Sequence, residues 1–443
     1  MTPTTLRDQV DQALRDLEPE LIRHRHHLHR NPELSNREIA TAAYLVEQLE
    51  QFGVDEIRTD LAGHGVIGVI RGGKPGDKTI ALRADMDGLP VRETSGVSFA
   101  SDREVEGPNG TSIPVAHACG HDCHMATVLI ATKVLAMFRS ELPGTVLCVF
   151  QPAEEGAPIG EQGGAQVMID EGAFAGVEPT MVFGMHVSPL PSGTVAYRSG
   201  SQFAASTRVE VIIQGRQTHA AMPWLGIDPM PAAAGVIVGA AHLVRRIPVW
   251  QPATVIFGHV EDQGRFNIIG DRIRLEGTIR CAEDADMERL KTGLHDLAIG
   301  QAQSHGCSAD IRFDHEVPAV VNQTGWIEST LPTLRRLVGQ ERLLVSPPTL
   351  GYDDVSALIR RFGGLYVLYG AQDTRWVTDG SGAPAFEPIA GGRGLVPNHH
   401  PSFYANDDAL RCGAAIHAHI ALDHLYGLID PSVSPRIRIG AGS

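Results

Sequence analysis

A thiol and an imidazole two positions apart, Cys119 and His121, lie inside the run His117-Ala118-Cys119-Gly120-His121-Asp122-Cys123-His124. Downstream comes Gln151-Pro152-Ala153-Glu154-Glu155-Gly156. Thiolate and imidazole are soft and borderline metal ligands. The carboxylate pair adds a further ligand and a proton acceptor, and together these are the parts of a hydrolytic metal centre. Both motifs abut apolar runs, so chance histidines at a helix start and a solvated acidic turn fit them less well. A turn containing Gly120 lets Cys119 and His121 aim at one point. Glu154 and Glu155 are neighbours and cannot point the same way from regular structure, so one is placed to bind a cation while the other faces water.

The elements that must hold these residues alternate. Helical spacing runs over 5–30 and 36–53, separated by the turn Asn31-Pro32-Glu33. Strands are predicted over 65–71 and 79–84, a helix over 124–138, and an apolar strand over 145–150 that leads into the Glu pair. Further strands are predicted over 182–186 and 193–197. Such alternation implies an α/β sheet covered on both faces. The candidate residues recur at strand ends, where sheets of this kind place their sites.

From 201 to 315 the pattern changes. A strand over 208–214 and an Ala/Val-rich helix over 229–246 precede strands over 254–260 and 272–280. An amphipathic helix over 286–304 and a strand over 309–315 complete the order β-α-β-β-α-β, the ferredoxin-like split unit. Helices over 327–338 and 407–426 and an apolar segment over 365–369 then return to α/β patterning. The expected fold class is therefore α/β: a catalytic sheet domain with two covering helix layers, formed by 1–200 and 316–443, with an inserted ferredoxin-like α+β domain over 201–315. At 443 residues two domains are the default. The glycine-containing stretch 374–398 reads as a long loop shaping an entrance. The tail from Asp430 is expected to be loose.

Composition narrows the function classes. With 43% hydrophobic and 20% charged residues the chain reads as an ordinary globular protein. A net charge of -15 argues against nucleic acid and anionic membranes as partners. The six cysteines show no framework spacing, which suits a reducing compartment. The first residues are polar and no apolar stretch is long enough to span a bilayer, so the cytoplasm is the expected location.

Taken together, the segments resemble the aminoacylase/carboxypeptidase family of two-metal peptidases, in particular its amidohydrolase branch, which hydrolyses indole-acetic-acid–amino-acid conjugates, hippurate and other N-acyl amino acids. The matching pieces run in order along nearly the whole chain: Leu28-His-Arg-Asn-Pro-Glu-Leu34, Leu82-Arg-Ala-Asp-Met-Asp-Gly-Leu-Pro90, the Cys119 and Glu154 motifs, Gly184-Met-His186, Thr218-His-Ala-Ala-Met-Pro223, Phe266-Asn-Ile-Ile269, Gly277-Thr-Ile-Arg280 and Asn398-His-His-Pro401. The resemblance implies metal ligands Cys119, His121, Glu155, His186 and His399, with His400 as the alternative to His399. It implies two divalent metal ions per subunit, zinc or manganese, with cobalt also compatible. Glu154 is then the general base that later hands its proton to the leaving amine.

The resemblance also implies that His219 reaches the metal site of the other subunit and stabilises the oxyanion, which makes the protein a homodimer joined through 201–315. Asn267 is its expected companion as a hydrogen-bond donor. Arg280 is read either as the partner of a substrate carboxylate or as a strand-surface arginine in a local ion pair. Asp85 follows an arginine where the wider family has a metal-binding histidine, and is expected to orient a ligand imidazole.

The histidine-dense stretch His24, His26, His27 and His29 looks like a metal tract but is read as structural, because in relatives this helix lies away from the metals. Cys123 and His124 are read as packing or capping residues. Residues 350–356 depart from the Gly-x-Glu-Asp-Phe-type sequence of relatives, so substrate preference is least determined there. The expected activity is hydrolysis of the amide bond of an N-acyl amino acid or amino-acid conjugate to a carboxylic acid and a free amino acid. A dipeptidase or carboxypeptidase using the same machinery is the first alternative, but no acidic residue for an α-ammonium is identifiable. A non-catalytic metal-binding relative is the second, disfavoured by the retention of every ligand with Glu154 and His219.

Overall fold

The helical spacing over 5–30 forms two helices, α1 (Pro3–Asp16) and α2 (Glu18–Arg30). Pro19 sits in the first turn of α2, where its missing N–H is harmless but would break a continuous helix. Helix α3 (Ile39–Phe52) ends at Gly53 in the left-handed region. These elements come from a computed structural model that describes residues 3–107, 110–158, 160–378, 380–381 and 384–432. Next come strands β1 (Glu56–Leu61), β2 (Gly65–Arg71) and β3 (Lys74–Asp85), the short β4 (Glu104–Glu106) and β5 (Ser112–Pro114), and helix α4 (His121–Met137). Strand β6 (Pro143–Gln151), helix α5 (Gly164–Asp170) and strands β7 (Met181–Pro191) and β8 (Val195–Tyr197) follow.

One element begins where the spacing alone did not place it. Helix α4 starts at His121, not at 124, because Gly120 at its N-cap adopts φ 94 and turns the chain directly into the helix. Nearly all of α4 is buried. An all-round apolar helix of this kind belongs inside a protein, and α4 packs against α2, α3, α10 (Asp407–Leu425) and β3.

The middle of the chain carries β9 (Gly200–Phe203), β10 (Ala205–Gln214), β11 (Thr218–His219), α6 (Met230–Leu243), β12 (Ala253–Asp262), β13 (Ile268–Ile269), β14 (Arg272–Cys281), α7 (Asp284–Ser304) and β15 (Ser308–Val317). The chain then returns through β16 (Val320–Asn322), α8 (Thr324–Val338), β17 (Leu343–Val345), α9 (Val355–Phe362), β18 (Gly364–Gln372), β19 (Thr374–Thr378) and β20 (Pro384–Pro388) before reaching α10.

One unit comprises 1–200, 322–346 and 357–443, the other 201–321 and 347–356. The first is built on a mixed eight-stranded sheet in the order β1-β2-β6-β3-β7-β18-β8-β17. Its centre, where β3 pairs with β6 and β7, and β7 with β18, is parallel, so its strands are buried on both faces. The second unit holds a four-stranded sheet in the order β12-β14-β10-β15 with antiparallel pairs throughout. Val209, Val211 and Ile213 of β10 bury against Val236 of α6 and Leu290 and Leu294 of α7.

The unit boundaries differ from the expected ones only at 316–321 and 347–356, which fall in the second unit, while 322–346 stay with the first. β15 continues to Val317 and stays paired with β10, and the loop after β17 is bonded to the second unit's own chain, Ala204 N–H to Gly351 O and Thr349 N–H to Gln202 O. The described residues of 374–398 include the paired strands β19 and β20, on which Trp376 and Phe386 face each other at 4.9 Å, edge to face. Of the tail from Asp430, residues 433–443 lie outside the described residues. Among the described residues no helix is long and apolar enough to cross a membrane.

Gly184 on β7 stands opposite Tyr366 on β18, and a Cβ there would lie 2.8 Å from the buried Tyr366 ring. Gly184→Ala is therefore expected to cost about 1–3 kcal/mol through overpacking, read as a lower urea midpoint. An unchanged midpoint would mean that the ring yields.

Candidate metal centre

Five chain segments of the first unit meet at the carboxyl ends of its parallel strands. β3 ends at Asp85, opposite Gln151 at the end of β6, and the Glu pair follows directly. β7 carries His186, opposite Leu368 of β18. The loop before α4 supplies Cys119, and the loop 397–400 supplies His399.

Local backbone geometry aims each group. Gly120 takes φ 94, and a Cβ there would approach Val187 Cβ to 3.2 Å, so the Cys119–His121 turn requires glycine. Ala153 (φ 53) and His399 (φ 66) adopt the same left-handed region without being glycine. Such strain survives only where surrounding bonds impose it. The Glu38 carboxylate accepts from Ala153 N–H at 2.8 Å, and His399 N–H donates to Ala118 O at 2.8 Å.

The Cys119 sulfur lies 3.3 Å from His186 Nε2 and 3.3 Å from His399 Nε2. His399 Nε2 is also 3.2 Å from Glu155 Oε1. His121 Nε2 stands 3.7 Å from Glu154 and 3.9 Å from Glu155. Two groups of three donors, Cys119–His121–His186 and Cys119–Glu155–His399, thus share one sulfur. The two glutamates both approach His121 because they occupy a turn, so the alternation of regular structure does not apply.

Ring tautomers point the same way. His121 donates through Nδ1 to the Asp87 carbonyl at 2.8 Å, and its buried Nε2 has no hydrogen-bond partner. His186 donates through Nδ1 to Val187 O at 2.7 Å, which turns Nε2 toward the sulfur. With each Nδ1 held by a carbonyl, Nε2 is the atom each ring turns to the cluster, and once it carries no proton its lone pair fits a divalent cation.

Asp85 and His124 form the layer behind. The Asp85 carboxylate accepts from Arg83 at 2.7 Å and from His124 Nδ1 at 2.5 Å, while His124 Nε2 accepts from Val187 N–H at 2.7 Å. Asp85, His121 and His124 are also close enough to suggest a cation site, but both His124 nitrogens are already engaged, so it offers no lone pair. Burial would raise the Asp85 pKa, yet His121, His124 and Arg83 outweigh it and hold the carboxylate well below its ordinary range. Burial would lower His121, but Asp85, Asp87 and Glu155 raise it to about 10. Burial, then the Glu155 and Glu154 carboxylates, push the Cys119 thiol well above its ordinary value. Burial and then His124 keep His186 neutral, well below 6.5.

The first unit therefore brings together Cys119, His121, Glu154, Glu155, His186 and His399, with Asp85 behind them. His400 turns elsewhere, its Nδ1 accepting from Ser402 N–H at 3.0 Å. His219, Asn267 and Arg280 are carried by the second unit. The β11–β13 ladder pairs His219 with Ile268, and Ala220 N–H reaches Asn267 O at 3.1 Å, so the two candidate groups are exposed neighbours. Arg280 makes no local ion pair among the described residues. It donates to Leu350 O at 2.9 Å and lies over the Tyr352 ring at 5.1 Å.

The histidine tract of α2 is occupied by other work. His29 bridges Asp122 (2.8 Å) and Glu93 (2.9 Å), His26 bonds Asp407 (2.7 Å), His24 bonds Tyr44 (2.6 Å), and His27 stacks on Tyr44. Asp87 and Glu38 carry roles the motifs did not assign. Asp87 accepts from Ser35 Oγ at 2.7 Å and Glu155 N–H at 3.0 Å, and its place in Asp85-Met86-Asp87 was the available signal. A cavity of about 560 Å³ among α1, α8 and α10 is lined by Arg7, Arg336 and Arg411, but Asp423 and Glu18 already pair with them.

Residues 81–423 match peptidase family M20/M25/M40. The chain is 33% identical to IAA-amino acid hydrolase ILR1-like 2 of Arabidopsis thaliana, over 91% of this chain and 85% of that protein. It is 32% identical to the N-acetylcysteine deacetylase of Bacillus subtilis, over 91% and 96%. The crystal structure of a dinuclear metal binding peptidase from Bacillus subtilis superposes with a TM-score of 0.72 and 28% identity, over 93% of this chain and 99% of that one.

A cation entering this cluster must displace the Cys119 thiol proton and the His121 imidazolium proton, both present at pH 7 given the two raised pKa values. Zinc loading is expected to release about two protons per chain, and affinity falls as pH falls because protons then compete better. Calorimetry in buffers of different ionisation enthalpy reads the number, and zero release would contradict the assignment.

Proposed function

The chain belongs to peptidase family M20/M25/M40, and from that membership we propose a metal-dependent amidohydrolase that splits N-acyl amino acids into a carboxylic acid and a free amino acid. The observation that carries this reading is the Cys119 sulfur shared by two donor groups beside a buried, unpartnered His121 Nε2. The names of the plant hydrolase and the bacterial deacetylase both describe cleavage of an acyl–amino acid amide, which supports the substrate class.

Cys119, His121, Glu155, His186 and His399 would hold two divalent cations. When bound, such a pair polarises an amide carbonyl and acidifies water. Thiolate and imidazole favour zinc, while the carboxylate is compatible with manganese or cobalt. The Glu154 carboxylate takes a proton from the attacking water and returns it to the leaving nitrogen. Asp85 keeps His124 oriented and the site walls fixed.

The ferredoxin-like second unit, centred on 201–315, serves as lid and dimerisation domain in this reading. Its exposed apolar side chains, among them Trp224, Val249, Trp250, Ile256 and Phe266, and the edge position of β12 support a protein interface. His219 of the partner subunit would steady the oxyanion, with Asn267 as a second donor and Arg280 reaching a substrate carboxylate. None of the six cysteines is in a disulfide, which fits a cytoplasmic location.

Glu154→Gln is expected to lower kcat by about 10²–10⁴-fold with the metal content unchanged by elemental analysis. Full activity in that variant would remove Glu154 from the role of base. An N-acyl amino acid assayed beside the matching dipeptide tests the substrate class, and faster turnover of the dipeptide would favour a peptidase. Trp250→Glu should shift the sedimentation coefficient from dimer to monomer and abolish turnover.

A further inference from the structure

Asn398 precedes His399 and has no role in the site so far. Its amide Nδ2 donates to two carbonyls, Cys119 O at 3.0 Å and Val187 O at 3.0 Å. Those carbonyls belong to the two segments that carry Cys119 and His186. The same Val187 carbonyl accepts from His186 Nδ1 at 2.7 Å, the bond that sets the His186 tautomer. One side chain thus joins three ligand-bearing segments, because its own backbone continues into His399.

This arrangement needs an amide. An NH₂ group offers two donor hydrogens at one point, and both are used here. A carboxylate of the same shape offers only acceptors and would face two carbonyl oxygens. His399 needs such a tether: its side chain is half exposed, on a surface loop, in the left-handed region. The His399 N–H bond to Ala118 O secures the backbone, and the Asn398 bonds secure the loop against the other two segments.

We propose that Asn398 is a positioning residue that holds His399 and Cys119 in register for the second cation, resting on the metal-centre reading above. It touches no substrate in this role. Its loss should weaken the Cys119–Glu155–His399 group while leaving the fold intact.

The test is a titration of the metal-stripped full-length protein with Co²⁺, following the sulfur-to-cobalt charge-transfer band and the number of ions bound. The unchanged protein should take two ions per chain. Asn398→Leu and Asn398→Asp should bind one of the two about 10- to 100-fold more weakly, with an altered band and an unchanged melting temperature before metal addition. His400→Ala, one residue beyond His399, should titrate like the unchanged protein. Two ions bound by both Asn398 variants with unaltered affinity would overturn the proposal. So would loss of the fold in both, since the amide would then hold the chain together rather than the ligands. Failure of the unchanged protein to bind a pair of ions would instead sink the metal-centre reading itself.

Discussion

One sulfur atom sets the demands that the rest of the first unit meets. Cys119 Sγ stands 3.3 Å from imidazole nitrogens that are 67 and 280 residues away in the chain. Donor atoms gathered this closely and buried cost free energy unless something compensates their lone pairs and charges. The surroundings reduce that cost by giving the His121 and His186 rings one defined Nδ1 hydrogen bond each, so that Nε2 has one direction to face. The parallel sheet makes the gathering feasible, because its strand ends present several segments along a single edge.

The second layer explains why histidine counting misleads. Asp85, Arg83 and His124 form a buried chain of charge-assisted bonds that ends at the backbone of Val187, next to His186. On the far side of α4, Arg25 and His29 hold Asp122 in the first turn of that helix at 2.8 Å each. Burial would raise the Asp122 pKa, but Arg25 and His29 carry it far below the ordinary carboxylate range. These groups resemble ligands in type, yet they act by anchoring the start of α4, from which His121 projects.

Much of the site was legible because its motifs are local. Cys119-Gly120-His121 encodes its own turn, and the glycine there does what its spacing suggested. The Glu pair and Gly184-Met185-His186 follow apolar strands that are easy to read. The β19–β20 hairpin escaped notice because its pairing depends on Trp376 meeting Phe386 across a turn, and the early start of α4 because a left-handed glycine at an N-cap leaves no periodic signature. The transfer of 347–356 to the second unit rests on backbone bonds to residues 202–204, which no local pattern records.

The chain's order of residue types was enough to name the family resemblance, the α/β class and the set of side chains able to bind a cation. Convergence was decided by the tertiary structure: His399 over His400, both glutamates toward His121, His124 tied into a relay, and Asn398 across two carbonyls. The reason is physical. Residue type determines which atoms can donate or accept, but the direction of a lone pair depends on which neighbour already holds the other end of the ring or amide, and those neighbours come from distant parts of the chain.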